Sequence, residues 1–241
     1  MKRRMRQPIV RRWDRVSETL SAAWLIARKD LSIEFRTRSA FFSAVVFALL
    51  GVVIFYYAWD PTAVAATDLA PGVLWVIFTF SGILGLNRSF AVESADHAMD
   101  GLLASPVSRE AIFIGKAIAN LVFVAAVQLI AVPALAVFYN LPLGDIALPL
   151  LAIAFLAAIG LVAVGTLFSA MAVNTRLAEL LLPMLALPFF VPIVMAAAQA
   201  TSRLLAGRPV AEAGAWIKLL LAFDLVFVVA CTLAYPFTVE D

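Results

Sequence analysis

A chain of 241 residues that is 64% apolar and 14% charged, with a mean hydropathy of +1.00, cannot hide its hydrocarbon in one water-soluble core. A soluble domain is about half apolar and a quarter charged, so most of this surface must face lipid. A single cysteine excludes a disulfide framework, and no Cys/His spacing suits a metal ion. The net charge of +2 says little alone, but eleven of the eighteen Lys and Arg fall within residues 1–39.

In chain order, residues 13–38 read first, as an amphipathic helix. Trp13, Val16, Leu20, Trp24, Ala27, Leu31 and Phe35 recur at three- and four-residue spacing, while Arg15, Glu18, Ser21, Arg28, Lys29, Ser32 and Arg36 fill much of the rest. Such a helix lies in the interface plane, its basic face toward anionic lipid headgroups. Two roles are open to it: a plain membrane-surface anchor, or an elbow that also touches a cytoplasmic partner. The chain thus divides into a basic N-terminal part, 1–39, and a transmembrane part, 40–241.

Six stretches are apolar for long enough to cross a bilayer, where a helix must satisfy its own backbone. They are 40–59, 69–86, 112–139, 146–173, 177–200 and 215–237. The second is short; the third and fourth are long enough to tilt or overshoot. The first begins too late for a secretory signal peptide, and neither Arg-Arg pair is followed promptly by an apolar run, as a twin-arginine signal requires. The loops "DPTAVAATD" and "NLPLGD" carry no Lys or Arg, whereas Arg88, Arg109 and Arg176 fall on the alternate connections. Only the last loop, with Arg203 and Arg208, dissents. The positive-inside bias predicts a cytoplasmic N-terminus and, after six spans, a cytoplasmic C-terminus.

Between the second and third spans lies "ESADHAMDGLLASPVSREAIFIGK", residues 93–116, with four acids, two basic residues and the only histidine. On a helix Glu93, Asp96 and Asp100 fall near one face, with Leu102 and Leu103 following and Pro106 ending the helix. A short polar helix at the membrane surface can dock in a cleft of a soluble subunit and transmit rigid-body motion. Its Gly115-Lys116 pair is no phosphate loop, because Glu110 and Ala117 stand where that motif needs Gly and Ser or Thr. The chain therefore shows no nucleotide site, and no zincin, dinucleotide or nucleophile-elbow motif.

The fifth span reads "LLPMLALPFFVPIVM". Pro183, Pro188 and Pro192 each remove a backbone donor, so the helix is expected to bend or break, as a structural kink or as a gate. In the sixth span Asp224 sits about two turns deep, where an ionisable group is either a hydrogen-bonded packing element or a functional residue. Lys218 is close enough to the border to snorkel, and Glu179 suits a helix N-terminus. His97, Cys231 and the six methionines are residue types that ligate haem iron, but a lone loop histidine reads as solvated.

Beyond these physical readings, "LAPGVLWVIFTFSGILGLNRSF", running on through "DHAMDGLLASPVSREAIFIGKAIANL", resembles the CcmB family, the haem exporter B subunits of cytochrome c maturation. The features in common are Ala70-Pro71-Gly72 entering span two, Arg88 with Phe90 at its exit, and the acidic stretch 93–100. Leu102-Leu103 with Pro106, Lys116, and the proline-rich fifth span complete the pattern. Many members have a glycine, a small residue, Leu and Glu after the acidic stretch; here the region reads His97-Ala98-Met99-Asp100. The resemblance implies a six-helix exporter permease of the ABC-2 type, a subunit with no catalysis of its own in the bacterial inner membrane. It would act as a homodimer with an ATPase, CcmA, with CcmC and CcmD, and would serve the haem chaperone CcmE. ATP would enter through the ATPase, and haem would be the handled ligand. An ABC-2 permease for lipid, drug or polysaccharide, or a scaffold that transports nothing, are the alternative readings.

Overall fold

The computed structural model describes residues 12–95, 105, 107–172 and 178–238. Every regular element among them is a helix: α1 (Arg12–Thr37), α2 (Ser39–Ala58), α3 (Ala66–Ala95), α4 (Arg109–Tyr139), α5 (Ala147–Ala172), α6 (Ala178–Leu205) and α7 (Val210–Thr238). The last six are long and apolar enough to cross a bilayer, one for each predicted span. The protein is therefore an all-α, multi-pass membrane protein with one further helix ahead of its spans.

A single residue separates α1 from α2. Arg38 stands in the left-handed region, φ 55°, a conformation that costs a non-glycine residue about 1 kcal/mol or more. There its amide closes α1 on the Glu34 carbonyl at 2.7 Å, while the Glu34 carboxylate accepts the amide of Phe41 at 2.8 Å. The chain turns a sharp corner with both helix ends partly satisfied. Ser108 starts α4, its hydroxyl accepting the Ala111 amide at 3.3 Å, and Asn140, φ 49°, ends it.

Helix lengths set depth. The 20 residues of α2 span about 30 Å, one bilayer core, whereas the 31 of α4 span about 46 Å. Their far ends coincide, because Tyr56 packs against Phe138 and Tyr139, and Trp59 stacks on Tyr139 at 5.4 Å. The excess of α4 must then protrude from the opposite face, as a stalk of roughly ten residues beginning at Arg109. Helix α3 behaves likewise: its apolar run gives way to polar residues from Asn87 and Arg88 onward, but the helix runs on to Ala95. The short second span and the start of its loop are thus one helix, since "RSFAVESA" contains neither glycine nor proline to stop it.

Helices α3 and α5 make the interior. The apolar window of α3 is 72% buried, against 22% for α2 and 17% for α7, and α5 buries every residue from Gly160 to Leu167. Polar side chains tie the interior together: Trp75 Nε1 donates to Thr201 Oγ1, Asn120 Nδ2 to Thr166 Oγ1, Gln128 Nε2 to the Ala154 carbonyl, and Ser169 Oγ to the Leu86 carbonyl, all at 3.1–3.2 Å. Interhelical bonds of this kind contribute about 0.6 kcal/mol each in a membrane bundle.

The expected break in the fifth span does not occur. Helix α6 is continuous through Pro183, Pro188 and Pro192. Pro188 is exposed and the other two half-buried, while Leu182, Ala186, Phe190 and Ile193 face inward. The prolines thus sit away from the packed face.

Candidate functional site

The protruding ends of α3 and α4 flank the polar segment singled out in the sequence. Glu93 belongs to the last turn of α3, which reaches Ala95. Asp96, His97, Asp100, Leu102, Leu103 and Pro106 lie outside the described residues. Where the chain is described again, Val107 packs against the bundle core, Ser108 caps α4, and Glu110 is exposed in its first turn. The segment is therefore anchored at both ends to rigid helices that continue into the membrane.

The α4 stalk is also clamped from the side. Ala23, Ile26 and Ala27 of α1 are buried against it, while Leu20, Trp24 and Phe35 stay exposed about a quarter turn away. The single apolar stripe read from the sequence is thus two adjoining faces, one for α4 and one facing outward. Gly115 permits the contact: a Cβ there would lie 2.7 Å from the Ala23 carbonyl oxygen and 2.8 Å from Ile26 Cβ. Beside it the fully buried Lys116 Nζ lies 3.4 Å from Asp30 Oδ2, and Lys29 approaches the same carboxylate at 3.2 Å. A lysine buried this deeply requires an anion and close hydrogen bonding.

The second polar feature lies within the membrane. The residues that α7 buries are Ala213, Leu220, Asp224, Cys231 and Tyr235, a seven-four-seven-four spacing that makes one straight seam. Asp224 occupies the middle of that seam, 5% exposed, with neither carboxylate oxygen given a hydrogen bond among the described residues. It faces α5, where Gly160 leaves the necessary space. A Cβ on Gly160 would collide with Asp224 Oδ1 and approach Ile193 Cδ1 of α6 to 2.9 Å. Asp224 therefore sits at a three-helix junction, directed into the bundle as an intramembrane acid should be.

Asp224 is far along the chain from the 93–106 segment, and the three prolines lie on the flank and outside of α6. Sequence reasoning missed Asp30, Gly115 and Gly160, each of which matters only through a partner on another helix. It also missed the aromatic cluster of Tyr56, Trp59, Phe138 and Tyr139 at the far end of the bundle. The signal for that cluster was available, since Trp and Tyr concentrate where spans leave the membrane. Among the described residues no group of three or more His, Cys, Asp and Glu comes together as a metal site.

Comparison with known proteins places these features in context. The family model described as CcmB protein matches residues 21–241. Heme exporter protein B of Paracoccus denitrificans is 30% identical over 206 residues, covering 86% of this chain and 89% of that protein. The protein of the same name from Pseudomonas aeruginosa is 25% identical over 201 residues, 83% of this chain and 90% of its own. That of Rhodobacter capsulatus is 30% identical over 114 residues, a match in which this chain spans 52% of the relative's length.

Proposed function

The chain belongs to the CcmB protein family, and from that premise we propose that it is the permease subunit of an ATP-driven, haem-handling complex of cytochrome c biogenesis. The observation that carries the reading is the family match over 21–241, laid on six membrane-spanning helices. ATP hydrolysis belongs to a separate ATPase of the CcmA kind, and CcmC, CcmD and the chaperone CcmE complete the assembly. Two copies of this chain pair with two ATPase subunits, because such engines close on ATP between two nucleotide-binding subunits. The complex releases haem-loaded CcmE, with haem as the ligand handled or exported.

In this reading residues 93–106 form the coupling helix. Glu93, Asp96 and Asp100 meet the ATPase, Leu102 and Leu103 insert beside them, and Pro106 turns the chain back toward α4. The physical support is the anchoring of the segment between two protruding helices, one of them clamped by α1. The same sidedness puts the stalk, both termini and α1 in the cytoplasm, consistent with the clustering of Lys and Arg before the first span. Asp224 and the prolines of α6 act in the mobility of the bundle rather than in catalysis.

Co-purification tests this. A tagged chain expressed in a cytochrome c-maturing bacterium should bring down an ATPase, a CcmC-like protein and haem. Recovery with glycan-export proteins and no haem would establish the polysaccharide permease instead. A complex that assembles but leaves ATPase turnover unchanged by CcmE would establish a scaffold.

A further inference from the structure

The corner between α1 and α2 encloses an apolar cleft of about 290 Å³ that opens on the outer surface of the bundle. Leu31 and Phe35 of α1 form one wall and Phe41 and Phe42 of α2 another. Its floor is α4, at Val122, Phe123 and Ala126. Phe123 is drawn back from the opening: its ring packs edge-on against Phe41 at 6.2 Å and occupies the space that Gly85 of α3 leaves free. The cleft is thus built by packing on three helices rather than by a chance gap between side chains.

Glu34 and Arg38, the two residues with charged side chains, line it almost entirely through their carbon atoms, which leaves the Arg38 guanidinium at its rim. The Glu34 carboxylate is occupied by the Phe41 amide at 2.8 Å. Arg38, held at the corner by its left-handed backbone, uses Nε on the Phe35 carbonyl at 3.1 Å. Its two terminal amino groups have no acceptor among the described residues. Arg38 immediately precedes the first span, so it stands at the membrane–water boundary while Phe41, Phe42 and the α4 floor lie deeper.

We propose that this cleft binds one anionic phospholipid of the adjoining leaflet, an acyl chain between Phe42 and Val122 and the phosphate on Arg38. Charge and the apolar lining decide the occupant. The free end of the guanidinium matches a phosphate, and the remaining wall matches hydrocarbon. Haem iron needs an axial His, Cys, Met or Tyr, and the lining supplies none. A lipid seated here fills the corner between the α1 clamp and the first span.

The test uses the full chain, reconstituted with phosphatidylethanolamine and phosphatidylglycerol and extracted gently for native mass measurement. The expected result is one retained phospholipid per chain, enriched in phosphatidylglycerol. Ala126→Phe, which fills the floor, should lower retention at least tenfold. Arg38→Gln should keep the lipid but lose the preference for phosphatidylglycerol. Equal retention by wild type and Ala126→Phe, unchanged headgroup preference in Arg38→Gln, or a haem-mass adduct in place of lipid would overturn the proposal. Should Ala126→Phe fail to fold, phosphatidylglycerol carrying a photoreactive acyl chain gives the answer on the wild type. Labelling concentrated at Phe42 and Val122 supports the site, and labelling spread evenly to Leu221 and Leu225 refutes it.

Discussion

Lys116 of α4 and Asp30 of α1 form an ion pair at 3.4 Å with the lysine wholly buried, although 86 residues separate them in the chain. The pair locks the amphipathic helix to the stalk that leads from the polar segment into the membrane. Asp30→Leu takes this carboxylate from a buried ammonium, and breaking a buried pair costs about 3–5 kcal/mol, whereas Lys116→Met leaves Asp30 beside Lys29 and costs less. Asp30→Leu should lower the melting temperature of the purified protein clearly and Lys116→Met by less, whereas the double variant should recover most of the larger loss. A double variant no better than the worse single one would mean that the contact is held by other groups.

The Gly160–Asp224 junction makes a second, independent demand. Gly160→Ala pushes a methyl into the carboxyl group and Ile193, and overpacking of this kind costs about 1–3 kcal/mol. Shortening the acid removes the collision, so Gly160→Ala with Asp224→Ala should be less destabilised than the two single changes together predict. Asp224→Asn keeps the shape, and no cation faces the carboxylate among the described residues. It should retain cytochrome c production at normal membrane abundance. Lost production at unchanged abundance would show that the carboxyl proton or charge is used.

What was legible in the sequence follows from what each feature depends on. Six spans were readable because bilayer crossing is set by local composition, and every one of them appears. The α1 helix was readable from its period, but its docking was not. Of the residues that make the contact, Ala27 belongs to the predicted stripe, but Ala23 and Ile26 lie beside it, and Leu20, Trp24 and Phe35 of the stripe stay exposed. Lys116 stood out as half of a Gly-Lys pair and as part of the family pattern, but its partner Asp30 is visible to no local rule. The prolines of α6 leave their helix unbroken for a related reason. A proline disrupts its own backbone wherever it points, but a helix can absorb it on an outer face, as at Pro188. Gly160 had no signal at all until α7 was laid against α5.

Sidedness gives the third prediction. Helix α3 begins at Ala66 and ends at Ala95, so Thr67 and Ser94 stand near its opposite ends. Cysteines introduced there, in a Cys231→Ser background, should react with a membrane-impermeant reagent from opposite sides. Ser94 should label only in inverted vesicles, and Thr67 in intact spheroplasts. Labelling of both from one side would remove the six-span topology and with it the cytoplasmic placement of the stalk.

The last prediction concerns Leu103. If residues 93–106 dock in a cleft of the ATPase, the acids from Glu93 to Asp100 meet its polar rim and Leu103 enters the apolar part. A glutamate there buries an unpaired charge in the contact, at a cost of several kcal/mol, on the order of a thousandfold in affinity. The substitution changes none of the six spans and none of the residues of the α1–α4 clamp, Ala23, Ile26 and Gly115. Leu103→Glu should therefore insert and reach normal abundance, but lose the ATPase on purification. Leu103→Met, similar in volume and apolar, should keep it, which separates a lost contact from a disturbed fold. A full complement of ATPase on the Leu103→Glu protein would make this segment an ordinary solvated connection, and the force from ATP would have to enter the bundle elsewhere.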